Sequence, residues 1–289
     1  MEPGLIIALS ITLVVAVLLI VFNSTPSDAA KYKKTLEYVR FDTEDILTEE
    51  LLKKRLQLVQ LDNYWEQLLP LMQHEIALKI NPCDEEAIAL GSSKIGGYPH
   101  LPSQMQTDSQ WMFVAQINCG EKKPFDKENI FPSEGMMYFF LDPSKLESKK
   151  KDAVRVIYSQ DLSNLEMSVE ILTLPDVRSS TLQFHEGASL PQYDTDIIND
   201  MLKDYETDGY FKATNREQSH KLGGYPDTIT QDFQQNKDKT LLLQLDSDPI
   251  SGLLWGNMGR LFIFADKQSV ISCKFDKIYS YLQSYEETD

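Results

Sequence analysis

Lys94-Ile95-Gly96-Gly97-Tyr98-Pro99 returns 127 positions later as Lys221-Leu222-Gly223-Gly224-Tyr225-Pro226, with five identities and one Ile/Leu exchange. The residues after each copy also match. Val114-Ala115-Gln116-Ile117 corresponds to Leu242-Leu243-Gln244-Leu245, and Gly135-Met136-Met137-Tyr138-Phe139-Phe140-Leu141-Asp142 to Gly259-Arg260-Leu261-Phe262-Ile263-Phe264-Ala265-Asp266. Three blocks in the same order at a nearly constant offset are the trace of a duplicated structural unit. A Gly-Gly pair before Tyr-Pro predicts a tight turn, because Gly takes positive φ freely and Pro fixes its own φ. The second block alternates as a strand, with Phe113, Ala115 and Ile117 expected on one face and Val114, Gln116 and Asn118 on the other. Leu241, Leu243 and Leu245 repeat the first face, and Leu242, Gln244 and Asp246 the second. The third block, rich in Tyr, Phe and Ile between a Gly and an Asp, predicts a buried strand. The unit is therefore turn, strand, loop, strand. Tyr98-Pro99 and Tyr225-Pro226 are candidates for cis bonds, because proline lowers the cis penalty.

The stretches GSSKIGGYPHLP, FVAQIN and SEGMMYFFLD in the first copy, with HKLGGYPD, LLLQLDSD and LLWGNMGRLFIFAD in the second, resemble the paired signatures of the YwqG-like family of bacterial proteins. The resemblance covers roughly residues 70–285. It implies that family's fold and no activity, since the family is a domain of unknown function. Two positions depart from its pattern. Gln110-Trp111-Met112 stands where the family tends to have Trp-Pro, and Trp255-Gly256-Asn257 where it favours Trp-Gly-Asp.

The chain has 289 residues and a net charge of −16. That excess argues against general affinity for nucleic acid, whose phosphates call for a basic face, and favours basic or neutral partners. Residues 4–22 carry no charge and would span about 28 Å as a helix, close to the hydrocarbon thickness of a bilayer. Glu2 is the only charged side chain before this stretch, and Lys31, Lys33 and Lys34 come after it. It therefore reads as an uncleaved transmembrane anchor of a single-pass inner-membrane protein, with the domain on the cytoplasmic side. Ser27-Asp28-Ala29 offers the alternative of a cleaved signal peptide and a periplasmic or secreted protein.

Residues 23–42 read as a polar tether and 43–289 as the domain, its repeats at about 75–175 and 210–285. Residues 45–61 predict a helix with acids early and bases late, and 75–80 a strand. Between the repeats, 153–159, 168–174 and 182–185 read as strands and 194–205 as a helix, with loop from there as far as Arg216. Residues 270–275 and 277–285 read as closing strands. The expected fold class is thus a β-rich α+β domain of internally duplicated turn-strand-strand units sharing one core, preceded by a transmembrane helix and a helical segment.

Catalytic templates are missing: there is no phosphate loop, dinucleotide fingerprint, zinc-protease helix or nucleophile elbow. Cys83, Cys119 and Cys273 are too scattered for a metal site or a disulfide framework. No catalytic residue, cofactor or metal is predicted. His74, His100, His185 and His220 show no ligand spacing, and Ser93 occupies the place of His220 in the first copy, which argues against a shared role. Asp246-Ser247-Asp248 reads as a solvated turn rather than a cation site. Gln116 and Gln244 sit among apolar neighbours, where an unpaired amide is costly, and are expected to clamp the backbone of their own turns. Lys94, Gly96, Gly97, Lys221, Gly223 and Gly224 are the candidates for an anion or ligand site, because exposed N–H groups of a glycine-rich turn can hold an anion beside a lysine. Two functions stand side by side. One is a membrane-anchored, non-enzymatic binding protein that recognises a basic protein or peptide. The other is a small-anion receptor or enzyme using a cleft between the repeats lined by Lys94 and Lys221.

Overall fold

The computed structural model describes residues 27–42, 45–105, 110–146, 153–229 and 238–285. Its strands are β1 (Gln73–Pro82), β2 (Lys94–Ile95), β3 (His100–Pro102), β4 (Met112–Asn118), β5 (Met136–Leu141), β6 (Val154–Ser159), β7 (Leu165–Met167), β8 (Leu172–Thr173), β9 (Ser180–Ser189), β10 (His220–Gly223), β11 (Lys239–Asp246), β12 (Arg260–Asp266) and β13 (Ile278–Gln283). Neighbours run in the order β13-β12-β11-β10-β1-β9-β2-β4-β5-β6, antiparallel at each step, and β8 joins β4 in parallel. β3 and β7 pair separately, His100 opposite Met167. The sheet curls until its edge strands, β13 and β6, lie against each other, which leaves a nearly closed barrel.

The curl has a local cause. β4 slips register against β5 between Phe113 and Ala115, and β11 slips against β12 between Leu241 and Leu243, the same place in both copies. An extra residue bends a strand and increases its twist. It also breaks the side-chain alternation. Ala115 and Ile117 face the main core, whereas Phe113 packs outside it with Tyr138 and Phe140. Leu243 and Leu245 likewise face the main core, while Leu241 packs with Phe262 and Phe264. The strict alternation expected for these strands is corrected at both bulges.

The centre of the sheet is the β1/β9 ladder, from Gln73 opposite Ser189 to Pro82 opposite Ser180. Lys94 of β2 lies opposite Thr181 on β9, and Lys221 of β10 lies opposite Ala77 on β1. The next strands out place Gln116 opposite Lys94 and Gln244 opposite Lys221. A local twofold through the β1/β9 ladder therefore relates the two sides of the sheet.

Beside the end of β9 lies a helical layer of α1 (Asp28–Leu36), α2 (Glu49–Leu58), α3 (Asp196–Met201) and α4 (Thr207–Thr214). Tyr32, Leu36, Leu52, Leu56, Ile198 and Tyr210 pack there with Ala188 and Leu190. Thr48 caps α2, its Oγ1 accepting from Leu51 N at 3.2 Å. Three expectations are corrected in these regions. The stretch read as a polar tether contains α1, anchored by buried Tyr32 and Leu36 and by the Tyr32 hydroxyl, which donates to Val59 O at 2.8 Å. The stretch read as loop before Arg216 contains α4, whose Tyr210 is buried and donates to Pro191 O at 2.7 Å. Residues 270–275, read as a strand, begin inside the helix Lys267–Ile271.

The membrane expectation is corrected as well. No helix among the described residues is long and apolar enough to cross a membrane. A single-pass inner-membrane protein built as an α+β domain behind a transmembrane helix thus gives way to a β-rich, nearly closed antiparallel sheet with a helical layer. The 4–22 stretch itself lies outside the described residues.

Candidate functional site

Both Gly-Gly turns place their glycines at positive φ: +64° and +61° at Gly96 and Gly97, +71° and +69° at Gly223 and Gly224. A side chain there would be strained, and the second glycine of each pair also has no room for one. A Cβ on Gly224 would lie 2.6 Å from Ser189 Oγ and 2.8 Å from Glu75 Oε2, and one on Gly97 would overlap the Glu85 carboxylate. Tyr98-Pro99 and Tyr225-Pro226 are both trans, which corrects the cis expectation. Gln116 reaches across the first turn, its Oε1 accepting from His100 N at 2.7 Å and its Nε2 donating to Ser92 O at 2.7 Å. Gln244 makes the equivalent pair in the second, accepting from Asp227 N at 3.0 Å and donating to Ser219 O at 3.0 Å. Each amide thus ties the residue after Tyr-Pro to the residue two before Lys.

The lysines sit underneath. Lys94 and Lys221 are fully buried, and each Nζ donates to the tyrosine carbonyl of its turn, Tyr98 O at 2.9 Å and Tyr225 O at 2.5 Å. Lys94 also pairs with Glu85, and Lys221 with Glu75 at 3.0 Å and Asp227 at 2.8 Å. Burial draws the Lys94 ammonium below its ordinary range, against the pull of Glu85. These cations are engaged by carboxylates and turn carbonyls, and neither lines the cleft beside the second turn.

The carboxylates come from non-equivalent places. Carrying the correspondence of Ala77 with Thr181 along the two strands sets Glu75 level with Ser179, and Glu85 level with Ser189. One turn rests on Glu75 and Ser189, the other on Glu85 and Ser179, so acid and serine exchange equivalent positions between the halves while both acids stay on the β1 side and both serines on the β9 side.

A similar exchange occurs at Ser93 and His220. Ser93 Oγ accepts from Asn118 N at 2.8 Å, and His220 Nδ1 accepts from the equivalent Asp246 N at 3.2 Å. The two side chains share a structural role, contrary to the sequence expectation. The acceptor geometry keeps the His220 ring neutral, and burial pushes its pKa down to about 4. An unfolded histidine takes up its proton near 6.5, so this contribution to stability is intact above that pH and is lost as pH falls toward 4, about 3 kcal/mol in all. Asp246, raised to about 6 by burial, acts with the opposite sign over the same range. His220→Ser, which borrows the first copy's solution, should leave only the Asp246 contribution. In urea titrations the variant's stability should hold or rise between pH 6.5 and about 4.5, where the parent protein loses most of the histidine contribution. Identical pH slopes would show that the ring is not held neutral.

Other replacements make the second copy charged where the first is not. Asp227 stands in the place of His100, Asp246 in that of Asn118, and Arg260 in that of Met136. The cross-strand pair Asn118–Met136 thereby becomes Asp246–Arg260, with Arg260 Nε 3.0 Å from Asp246 Oδ2. Arg216, just before β10, pairs with Glu75 and lies 2.9 Å from Asp227. The two guanidinium groups and Lys221 hold the Asp227 carboxyl far below the usual range against its burial. Arg260 also donates to the carbonyls of Asp227, Arg216 and Glu217, the latter two at 2.9 and 2.7 Å. Sequence reasoning missed Arg216, Asp227 and Arg260, although the last two showed as charged replacements inside the repeat. Asp246 and Asp248, expected in a solvated turn, are buried.

This charged cluster borders a small cleft of about 40 Å³ between the second turn and the helical layer. Arg216, Asp227 and Arg260 line it with Tyr193, Phe211 and Asn215. Among the described residues no group of three or more His, Cys, Asp or Glu is placed to hold a metal ion.

A family model described as a domain of unknown function (DUF1963) matches residues 93–284. The chain belongs to the DUF1963 family. No curated protein matches the chain. The DUF1963 range takes in both turns, both glutamines and the Arg216, Asp227 and Arg260 cluster, whereas Glu75 and Glu85 precede it.

Proposed function

We propose that this DUF1963 protein is a non-enzymatic binding module whose partner is a basic protein or peptide, and that within the family it belongs with the YwqG-like proteins whose motifs it resembles. The observation that carries the binding reading is the distribution of charge. The buried lysines and arginines around the turns are engaged in holding the backbone and its carboxylates, so recognition falls to the surface. There the helical layer presents Asp196 and Asp200 on α3, Asp208 on α4 and Asp204 on the turn between them as exposed acids, with Lys203 the exposed base among them. Exposed Ile197 and Phe211 supply apolar surface beside these acids. A chain of net charge −16 steers cations toward such a face and repels polyanions.

The test is binding of a lysine-rich peptide, measured across salt. Affinity should fall steeply between low and physiological ionic strength, where the Debye length shrinks to about 8 Å. A variant with Asp196, Asp200, Asp204 and Asp208 all replaced by Asn should lose most of the affinity and most of the salt dependence. Binding that ignores salt, or that survives the fourfold substitution, would overturn the proposal.

A further inference from the structure

The two copies differ in the loop that joins their paired strands. In the first copy the connection from β4 to β5 holds seven charged residues from Cys119 to Glu134. In the second, the connection from β11 to β12 runs from Ser247 to Met258 with Asp248 as its single charge, and that carboxylate is buried. The ten residues 249–258 are therefore uncharged in a chain of which 25% of residues carry a charge. Leu253 and Trp255 account for part of this run, since both pack in the main core. Ile250, Leu254 and Met258 do not, and they are 73%, 59% and 48% exposed.

This loop is firmly held. Asp248 and Leu253 exchange both backbone hydrogen bonds, at 2.6 and 3.0 Å, and Arg178 N donates to Ser251 O at 2.7 Å. Gly252, at φ +80°, lies so close to the Asp176 carbonyl that a Cβ would come within 2.0 Å of its oxygen. Met258 takes φ +49°, a strained conformation for a bulky residue. Half-exposed Tyr285 joins the loop through its N–H, which donates to Asn257 O at 3.2 Å. Apolar side chains fixed outward on an ordered loop suit the core of an interface, because little freedom is lost when they are covered.

We propose that this patch is the contact between two copies of the chain in a twofold dimer. Charge decides the occupant. Each copy carries −16, so most faces of two copies repel each other. A twofold contact sets a patch against itself, and an uncharged patch brings no like charges together. Another run of exposed apolar side chains, Met167, Val169 and Leu172, is interleaved with exposed Glu166 and Glu170, which would meet their own counterparts across a twofold axis. Beside the uncharged loop the charges are self-complementary. Exposed Asp176 and Arg178 flank it, and neither has an ion-pair partner among the described residues. In the dimer Arg178 of each copy faces Asp176 of the other. The contact is carried by different elements from the acidic helical face, so it stands or falls independently of the basic-partner reading.

Sedimentation velocity of the full chain over a concentration series should show a monomer–dimer equilibrium with a dissociation constant of roughly 1–100 µM. Leu254→Asp should weaken it at least about thirtyfold, since two carboxylates then meet inside the contact. Leu254→Ser adds no charge and should weaken it roughly tenfold through lost apolar burial. Arg178→Glu should also weaken it by about tenfold, because the new acid faces Asp176. All three substitutions change exposed side chains, so the thermal transition should stay in place. A monomer at every concentration up to about 500 µM would rule the dimer out. A dimer of unchanged affinity in both Leu254 variants would place the contact elsewhere on the chain and overturn the assignment.

Discussion

Glu75→Gln should lower the stability of the domain by roughly 3–5 kcal/mol, because it removes the anion from a buried pair and leaves its cations uncompensated. Glu75 is 1% exposed and faces Lys221 at 3.0 Å and the Arg216 guanidinium, whose Nη2 lies 3.2 Å from Oε2. Burial alone would raise this carboxyl, yet Arg216 and Lys221 hold it below the usual range, which reports how strongly the site depends on the charge. Asp227 remains as a second counter-charge 2.8 Å from Lys221, so the loss should stay below the full cost of a bare buried ammonium. The first copy is the control. Glu85 is partly exposed and holds Lys94 and Ser179 without an arginine, so Glu85→Gln should cost about 1–3 kcal/mol. Urea unfolding of the two variants gives the comparison directly. Equal effects, or a Glu75→Gln loss under about 1 kcal/mol, would mean that the second-copy network carries no more of the stability than its plainer counterpart.

Gln244→Leu should cost about 4 kcal/mol, since it orphans the Asp227 N–H and the Ser219 carbonyl, at roughly 1–3 kcal/mol for each buried polar group left unpaired. Gln244 Nε2 also lies 3.0 Å from both Asp227 Oδ2 and Asp246 Oδ1, so the substitution loosens two carboxylates that Arg216, Lys221 and Arg260 depend on. Gln116→Leu orphans the His100 N–H and the Ser92 carbonyl but touches no carboxylate, and should cost less. Hydrogen exchange supplies a local readout: the Asp227 amide should lose protection in the first variant and the His100 amide in the second. Retained protection at both amides would show that the glutamines are not what holds the turns.

The sequence determined much of the local geometry. The repeated Gly-Gly pairs required positive φ, and the runs around Val114, Met137, Leu243 and Ile263 required buried strands, because tight turns and strand faces are written in adjacent residues. Position in the repeat also singled out Gln116 and Gln244, since a polar residue held at one place in two apolar strands has to find partners within reach. Helices with weaker periodicity were harder to read. Residues 207–214 form α4 because Tyr210 and Ala213 are buried against the rest of the helical layer, and Gly209 admits Tyr32, a residue far away in the chain.

Only the tertiary structure decided which carboxylate supports which turn. Glu75 and Glu85 precede the first Gly-Gly turn, and none of the three matching blocks pairs them with anything. They are brought under the two turns because β1 and β9 form one long antiparallel ladder at the centre of the sheet, with each turn docked at a different end of it. The same pairing gives Ser179 and Ser189 their roles. The bulges, too, escaped the sequence, because one added residue in a pair of strands shows only in the register against a neighbour. Adjacent residues set what a turn or strand prefers by itself. Which charge meets it from across the sheet depends on chain contacts more than a hundred residues apart, such as Glu75 with Lys221, and those exist only once the sheet has closed around them.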